Sequence, residues 1–165
     1  MNVPRRTLLV GGAAVALSAC SSKFKKYEGP EVTRVMIVKQ RRRLYLFNNR
    51  DLLDAYDVHL GFRAEGPKQF RGDGKTPEGT YYIDRRNPRS SYHLSLGISY
   101  PNSRDVAFAR AQGRDPGGDI FIHGWRNKDS KKGKDWTAGC IAVKDREMED
   151  IYSMVRIGTP IHIYA

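Results

Sequence analysis

From Val32 onward the apolar residues fall in short runs, among them VTRVMIV (32–38), RLYLF (43–47), TYYID (80–84), DIFIH (119–123), GCIAV (139–143) and PIHIY (160–164). Each is β-branched or aromatic and too short to stand as a helix, which needs about 12 residues to be even marginally stable alone. Turn formers divide the runs, with 16 Gly and 8 Pro in 165 residues. A chain patterned this way is committed to many short strands, so the expected class is mainly β with a minor helical part (α+β).

The basic turn Lys39–Arg42 joins the first two runs as a hairpin, and Leu52–Leu60 makes a third strand ending at Gly61. Residues 61–79, GFRAEGPKQFRGDGKTPEG, hold five Gly and two Pro and form a long ordered loop, a kind of segment that usually carries function. His93–Ser99 is a further strand, and Ser103–Gln112 fits a short helix stopped by Gly113. A second helix is expected from an Asp145 N-cap to Val155, with Met148, Ile151, Tyr152 and Val155 on one face and Gly158 beyond its end.

The formal charge of +11 invites an anionic partner, and nucleic acid, acidic lipid or a wall polymer all satisfy charge alone. No nucleic-acid motif and no basic stretch with interleaved aromatics occurs, so no nucleic-acid partner is expected.

Residues 1–19 read as an export address. Met1–Arg6 is a short positive region and Leu8–Leu17 an apolar stretch about half the length needed to span a bilayer. Leu17-Ser18-Ala19-Cys20 resembles the lipobox of bacterial lipoproteins, which implies acylation of Cys20 and removal of residues 1–19. Arg5-Arg6 also resembles a twin-arginine signal, and Sec export fits equally. Ser21 after the lipidated Cys favours outer-membrane lipid, facing the periplasm. Residues 20–31 then form a tether, and residues 32–165 one catalytic-sized domain.

With Cys20 assigned to lipid, Cys140 is the one thiol left in the body of the protein. A thiol attacks as thiolate, and a free cysteine with a pKa of about 8.5 is mostly protonated at neutral pH, so it needs a base. His123, 17 positions earlier, is the natural one. Gly139 permits a tight turn that aims the Gly139 and Cys140 amides at an oxyanion, and Gly124 lets substrate approach the base. As bare residue types these positions fit a Cys–His dyad, a structural cysteine or a metal site, although no metal-binding spacing joins His59, His93, His123 and His162.

His123-Gly124, then Thr137-Ala138-Gly139-Cys140-Ile141, preceded by Gly72-Asp73-Gly74-Lys75-Thr76-Pro77-Glu78-Gly79, resembles the L,D-transpeptidase catalytic-domain (YkuD) family over about residues 32–165. The resemblance implies a β-sandwich or barrel with about two short helices, a Cys140 nucleophile, a His123 base, and neither metal nor cofactor. It implies peptidoglycan stem peptides as substrate, attacked after the L-centre of meso-diaminopimelate with release of D-alanine. Thr137 is placed to orient the base or the oxyanion loop. Tyr92 and Ser95, with the neighbouring His93, fall in the substrate-facing strand, and Trp125 and Trp136 flank the charged loop as candidate cleft-lining residues or as staples of its ends, with the run Lys128–Lys134 as a candidate lid or a solvated loop. Many members carry a second His before the Gly-Cys pair and an Arg or Asn two residues after the Cys, where this chain has Ala138 and Ala142. Those departures leave the acceptor open: an amine gives transpeptidation, and water gives carboxypeptidase action or release of wall-linked lipoprotein. A non-catalytic wall-binding lipoprotein is the reading from another class.

Overall fold

The computed structural model describes residues 22–125 and 133–165. The expected signal peptide, Cys20 and most of the charge run Lys128–Lys134 lie outside the described residues. Eight strands appear among the described residues, β1 (Arg34–Val38), β2 (Arg43–Asn48), β3 (Asp51–Asp57), β4 (Gly79–Asn87), β5 (Ser95–Ile98), β6 (Phe121–Trp125), β7 (Ile141–Lys144) and β8 (Pro160–Tyr164). Two helices join them, α1 (Ser103–Ala111) and α2 (Asp145–Met154).

The strands form one sheet in the order β3-β2-β1-β8-β4-β5-β6-β7. The β1–β2 hairpin keeps a period of two, so Val35, Ile37, Leu44 and Leu46 are fully buried while their neighbours face out. The last strand inserts parallel to β1 and antiparallel to β4. The sheet then curls until its ends meet, where His59 N donates to Ala142 O at 2.9 Å and Ala142 N to His59 O at 2.8 Å. That bridge nearly closes a barrel and occupies edge groups that would otherwise be left unpaired.

Helix α1 starts with a capping box. Asn102 Oδ1 accepts from the Arg104 and Asp105 amides, and the Asp105 carboxylate accepts from Asn102 N. Helix α2 begins one residue earlier than the sequence suggests. Lys144 holds the extended N-cap conformation, Asp145 is the first helical residue, and Glu147 accepts from Lys144 N at 3.0 Å. The strand runs straight into the helix, so the backbone leaves no separate position for Asp145 as cap. Met148, Ile151, Tyr152 and Val155 are buried beneath the sheet as their spacing predicts, and each is worth about 1.5–3 kcal/mol of burial.

The 61–79 loop is held by its own polar groups. Asp73 accepts from the Gln69, Phe70 and Lys75 amides at 2.7–3.1 Å and from Lys68 Nζ at 2.9 Å, with the Lys68 side chain only 3% exposed. Thr76 Oγ1 accepts from Gly61 N, and Glu78 pairs with the buried Lys39. Burial alone would push the Asp73 carboxyl upward, but the Lys68 ammonium and the three amides outweigh it and hold the group below its ordinary 3.8. A depressed folded pKa contributes stability that is present above the unfolded value and lost as pH falls through the folded one. The wild type is therefore expected to lose stability below about pH 4, whereas Asp73→Asn should be about 3 kcal/mol weaker at neutral pH and flatter in acid, because Lys68 loses its partner. Urea denaturation at pH 3 and pH 7 checks this, and identical acid slopes would count against it.

Candidate active site

Cys140 stands immediately before β7, on a turn that Thr137 ties from within. Thr137 Oγ1 accepts from Gly139 N at 3.1 Å and donates to Cys140 O at 2.6 Å. The Thr137 backbone anchors this turn to the preceding loop, donating to Leu60 O and accepting from Phe62 N. Gly139 has φ +135°, and a Cβ there would lie 2.6 Å from Lys75 O. The Gly-rich loop is thus the floor beneath the thiol, a contact between residues 64 positions apart that local patterning does not reveal.

Strands β6 and β7 run parallel with His123 beside Ala142, two residues beyond Cys140. His123 lies within β6 rather than at its end and is 5% exposed. Its Nδ1 is 2.8 Å from Gly124 O. A carbonyl only accepts, so Nδ1 carries the proton and Nε2 is the accepting nitrogen of the neutral ring. Tyr92 packs on one side of the ring at 4.5 Å between centroids, and Trp136 meets it edge-on at 5.9 Å.

Cys140 and His123 line one cavity of about 540 Å³ together with Tyr92, Ser95, Trp136 and Thr137. Ser95 pairs with His123 across β5 and β6 and is itself nearly buried. The cavity also takes in Arg89, Asp119 and Phe121, which sequence reasoning did not single out. Gly117-Gly118 before Asp119 was the available signal, since Asp119 takes a positive φ of 55° that turns its carbonyl toward the thiol. Cys140 Sγ donates to Asp119 O at 3.5 Å.

Four expectations need correction. The Gly139 amide is engaged by Thr137 Oγ1, so of the two expected oxyanion donors only the Cys140 amide keeps that role open. Gly124 does not clear a path for substrate, because Asp145 Oδ1, Tyr92 O and His93 Cβ lie 2.5–3.0 Å from where its Cβ would stand. Its need is close packing against α2. Trp125 does not line the cavity either, and packs edge-on against His59 at 4.8 Å. His93 likewise turns to α2, where Nε2 is 2.9 Å from Glu149 Oε1.

Burial, helped by the Asp119 carboxylate, raises the Cys140 thiol above its ordinary 9.0, against the opposing Phe121 amide and Lys68. The resting thiol is therefore protonated at neutral pH and needs a base to become a nucleophile. Alkylation by iodoacetamide is expected to accelerate with pH through a midpoint above 9.0, and Asp119→Asn should move that midpoint down. A wild-type midpoint well below 9.0 would contradict this and indicate a preformed thiolate.

Residues 32–163 match the model of the family described as L,D-transpeptidase catalytic domain. The chain is 29% identical over 150 residues to the Escherichia coli (strain K12) protein named "Putative L,D-transpeptidase YafK", covering 87% of this chain and 55% of that one. It is similar to the helical cell shape determining protein Pgp2 from Campylobacter jejuni, with TM-score 0.63 and 27% identity over 83% of this chain and 49% of that chain. An L,D-transpeptidase from Mycobacterium smegmatis shares the fold, with TM-score 0.55 and 16% identity over 83% of this chain and 60% of that one. The chain spans about half the length of the first two.

Proposed function

Because the chain belongs to the L,D-transpeptidase catalytic-domain family, we propose that it is a peptidoglycan peptidyltransferase working through a thioester on Cys140. The observation that carries the reading is the pairing of a clamped cysteine and a tautomer-fixed histidine on one cavity. His123 Nε2 takes the thiol proton as sulfur attacks the amide carbonyl after the L-centre of meso-diaminopimelate in a stem tetrapeptide. The Cys140 amide stabilises the oxyanion. Collapse breaks the C–N bond, the imidazolium returns the proton to the departing D-alanine amine, and the thioester remains. An acceptor amine, deprotonated by His123, then takes the acyl group and frees the thiol. Thr137 acts as a positioning residue for the turn, and Tyr92 and Trp136 hold the imidazole ring.

A hydrolytic reading is favoured by Ala138 and Ala142, which replace side chains that many members place beside the thiol. With water as acceptor the same thioester gives carboxypeptidase action, or release of wall-linked lipoprotein. Sacculi incubated with the protein distinguish these outcomes by their muropeptides: new 3-3 cross-links for transpeptidation, tripeptides for carboxypeptidation, free lipoprotein for amidase action. A profile identical to that left by Cys140→Ser would sink the enzymatic reading and favour a wall-binding role. The N-terminal pattern belongs to the same proposal, as an exported chain held to lipid through Cys20. Incorporation of labelled fatty acid into wild type but not Cys20→Ala checks it.

A further inference from the structure

Behind the active-site turn lies a second concavity. A cavity of about 560 Å³ opens among Arg42, Arg63, Lys75, Lys134, Glu65 and Asp135, with Phe62 on its rim. The short segment 134–138 separates it from the cleft, since Lys134 and Asp135 face this cavity and Trp136, Thr137 and Ala138 face the other. Asp135 is already committed, to the Arg42 guanidinium at 2.7 Å and to Leu60 N at 3.0 Å. Among the described residues, Arg63, Lys75 and Lys134 have no carboxylate within ion-pair distance. The lining therefore keeps an excess of two positive charges, supplied by four separate stretches of chain.

We propose that this pocket is a binding site for a phosphate group, carried either by a phospholipid headgroup or by a soluble molecule. A terminal phosphate group brings a charge of about −1.5 to −2 and three acceptor oxygens, which matches the excess of two, and a phospholipid diester, with about one charge and two free oxygens, matches it in part. The guanidinium of Arg63 and the ammonium groups of Lys75 and Lys134 supply donors from three separate stretches of the lining. Crowding among the cations is already felt nearby. Burial, and then Lys75 and Arg42, hold the Lys39 ammonium below its ordinary value although Glu78 pairs with it. An anion in the cavity relieves that repulsion. The site is independent of the chemistry proposed for Cys140, and its test does not use turnover.

The probe is inorganic phosphate titrated into the Cys20→Ala chain at constant ionic strength, followed by calorimetry, because a merely diffuse basic surface responds to ionic strength alone. Saturable binding with a Kd on the order of 1 mM is expected, weakened at least about 10-fold in Arg63→Gln/Lys134→Gln and tightened about 3-fold in Glu65→Gln. Both Arg63 and Lys134 are exposed, so the double variant is expected to fold, and the Glu65 variant tests the site without removing a cation. Co-sedimentation with phosphatidylglycerol vesicles, but not phosphatidylcholine vesicles, that is lost in the double variant identifies the headgroup as source. Phosphate binding without such sedimentation identifies a soluble one. No saturation, or equal affinity in wild type and both variants, overturns the proposal.

Discussion

Cys140→Ala is expected to abolish covalent capture of a carbapenem, so that intact mass shows one whole-molecule adduct on wild type and none on the variant. A β-lactam ring opened by sulfur adds its full mass without a leaving group, which makes the measurement unambiguous. Turnover on stem peptide should fall by about 10⁴-fold or more, the scale seen when a covalent nucleophile is removed. The fold should persist, because Cys140 is only half-buried and its thiol makes only weak contacts, to Asp119 O and the Phe121 amide. Unchanged melting together with complete loss of the adduct separates nucleophile from packing residue. An equal adduct on Cys140→Ala, or none on wild type, would refute cysteine acyl chemistry at this site.

The second large effect is expected at Gly139. An alanine there places Cβ 2.6 Å from Lys75 O and 3.2 Å from Ile120 Cδ1, on a backbone at φ +135° that side chains rarely adopt. Neither neighbour is a free side-chain end, since one is loop backbone and the other a core isoleucine. Overpacking and backbone strain each cost about 1–3 kcal/mol, so Gly139→Ala should destabilise by about 2–5 kcal/mol and lower Tm on the order of 10 °C. Acylation of Cys140 should fall as well, because relief of the clash displaces the turn that Thr137 holds. Gly133→Ala is the matched control, with nothing within 4 Å of its Cβ, and should change neither. Wild-type melting and acylation in Gly139→Ala would show that the floor under the thiol yields easily.

The strands were legible because side-chain direction alternates with a period of two, so VMIV and LYLF declare their buried faces without knowledge of their partners. The α2 face was legible for the same reason at a period of 3.6. The strand order was not legible, since β8 lies between β1 and β4 and nothing in PIHIY specifies that neighbour. At the site, Gly139 marked itself as a special backbone position, but its reason was misassigned. The amide expected to face an oxyanion donates instead to Thr137 Oγ1, and the glycine is required by the approach of Lys75. Trp125 and Gly124 failed in the same way, because proximity along the chain to His123 does not decide which side of the sheet or helix fills their space.

By itself the sequence determined the mainly β class, the two helices and the family-like order of His123-Gly124 and Gly139-Cys140, all of which rest on residue type and local period. Only the tertiary structure decided that His59 and Ala142 close the sheet, that Asp119 turns its carbonyl to the thiol, and that the 61–79 loop supports the Cys140 turn. It also decided that Arg63, Lys75 and Lys134 share one cavity. The physical reason is range. A strand's alternation is set by the geometry of single residues, whereas a partner 64 or 83 positions away is set by register and by the free energy of the whole packed sheet.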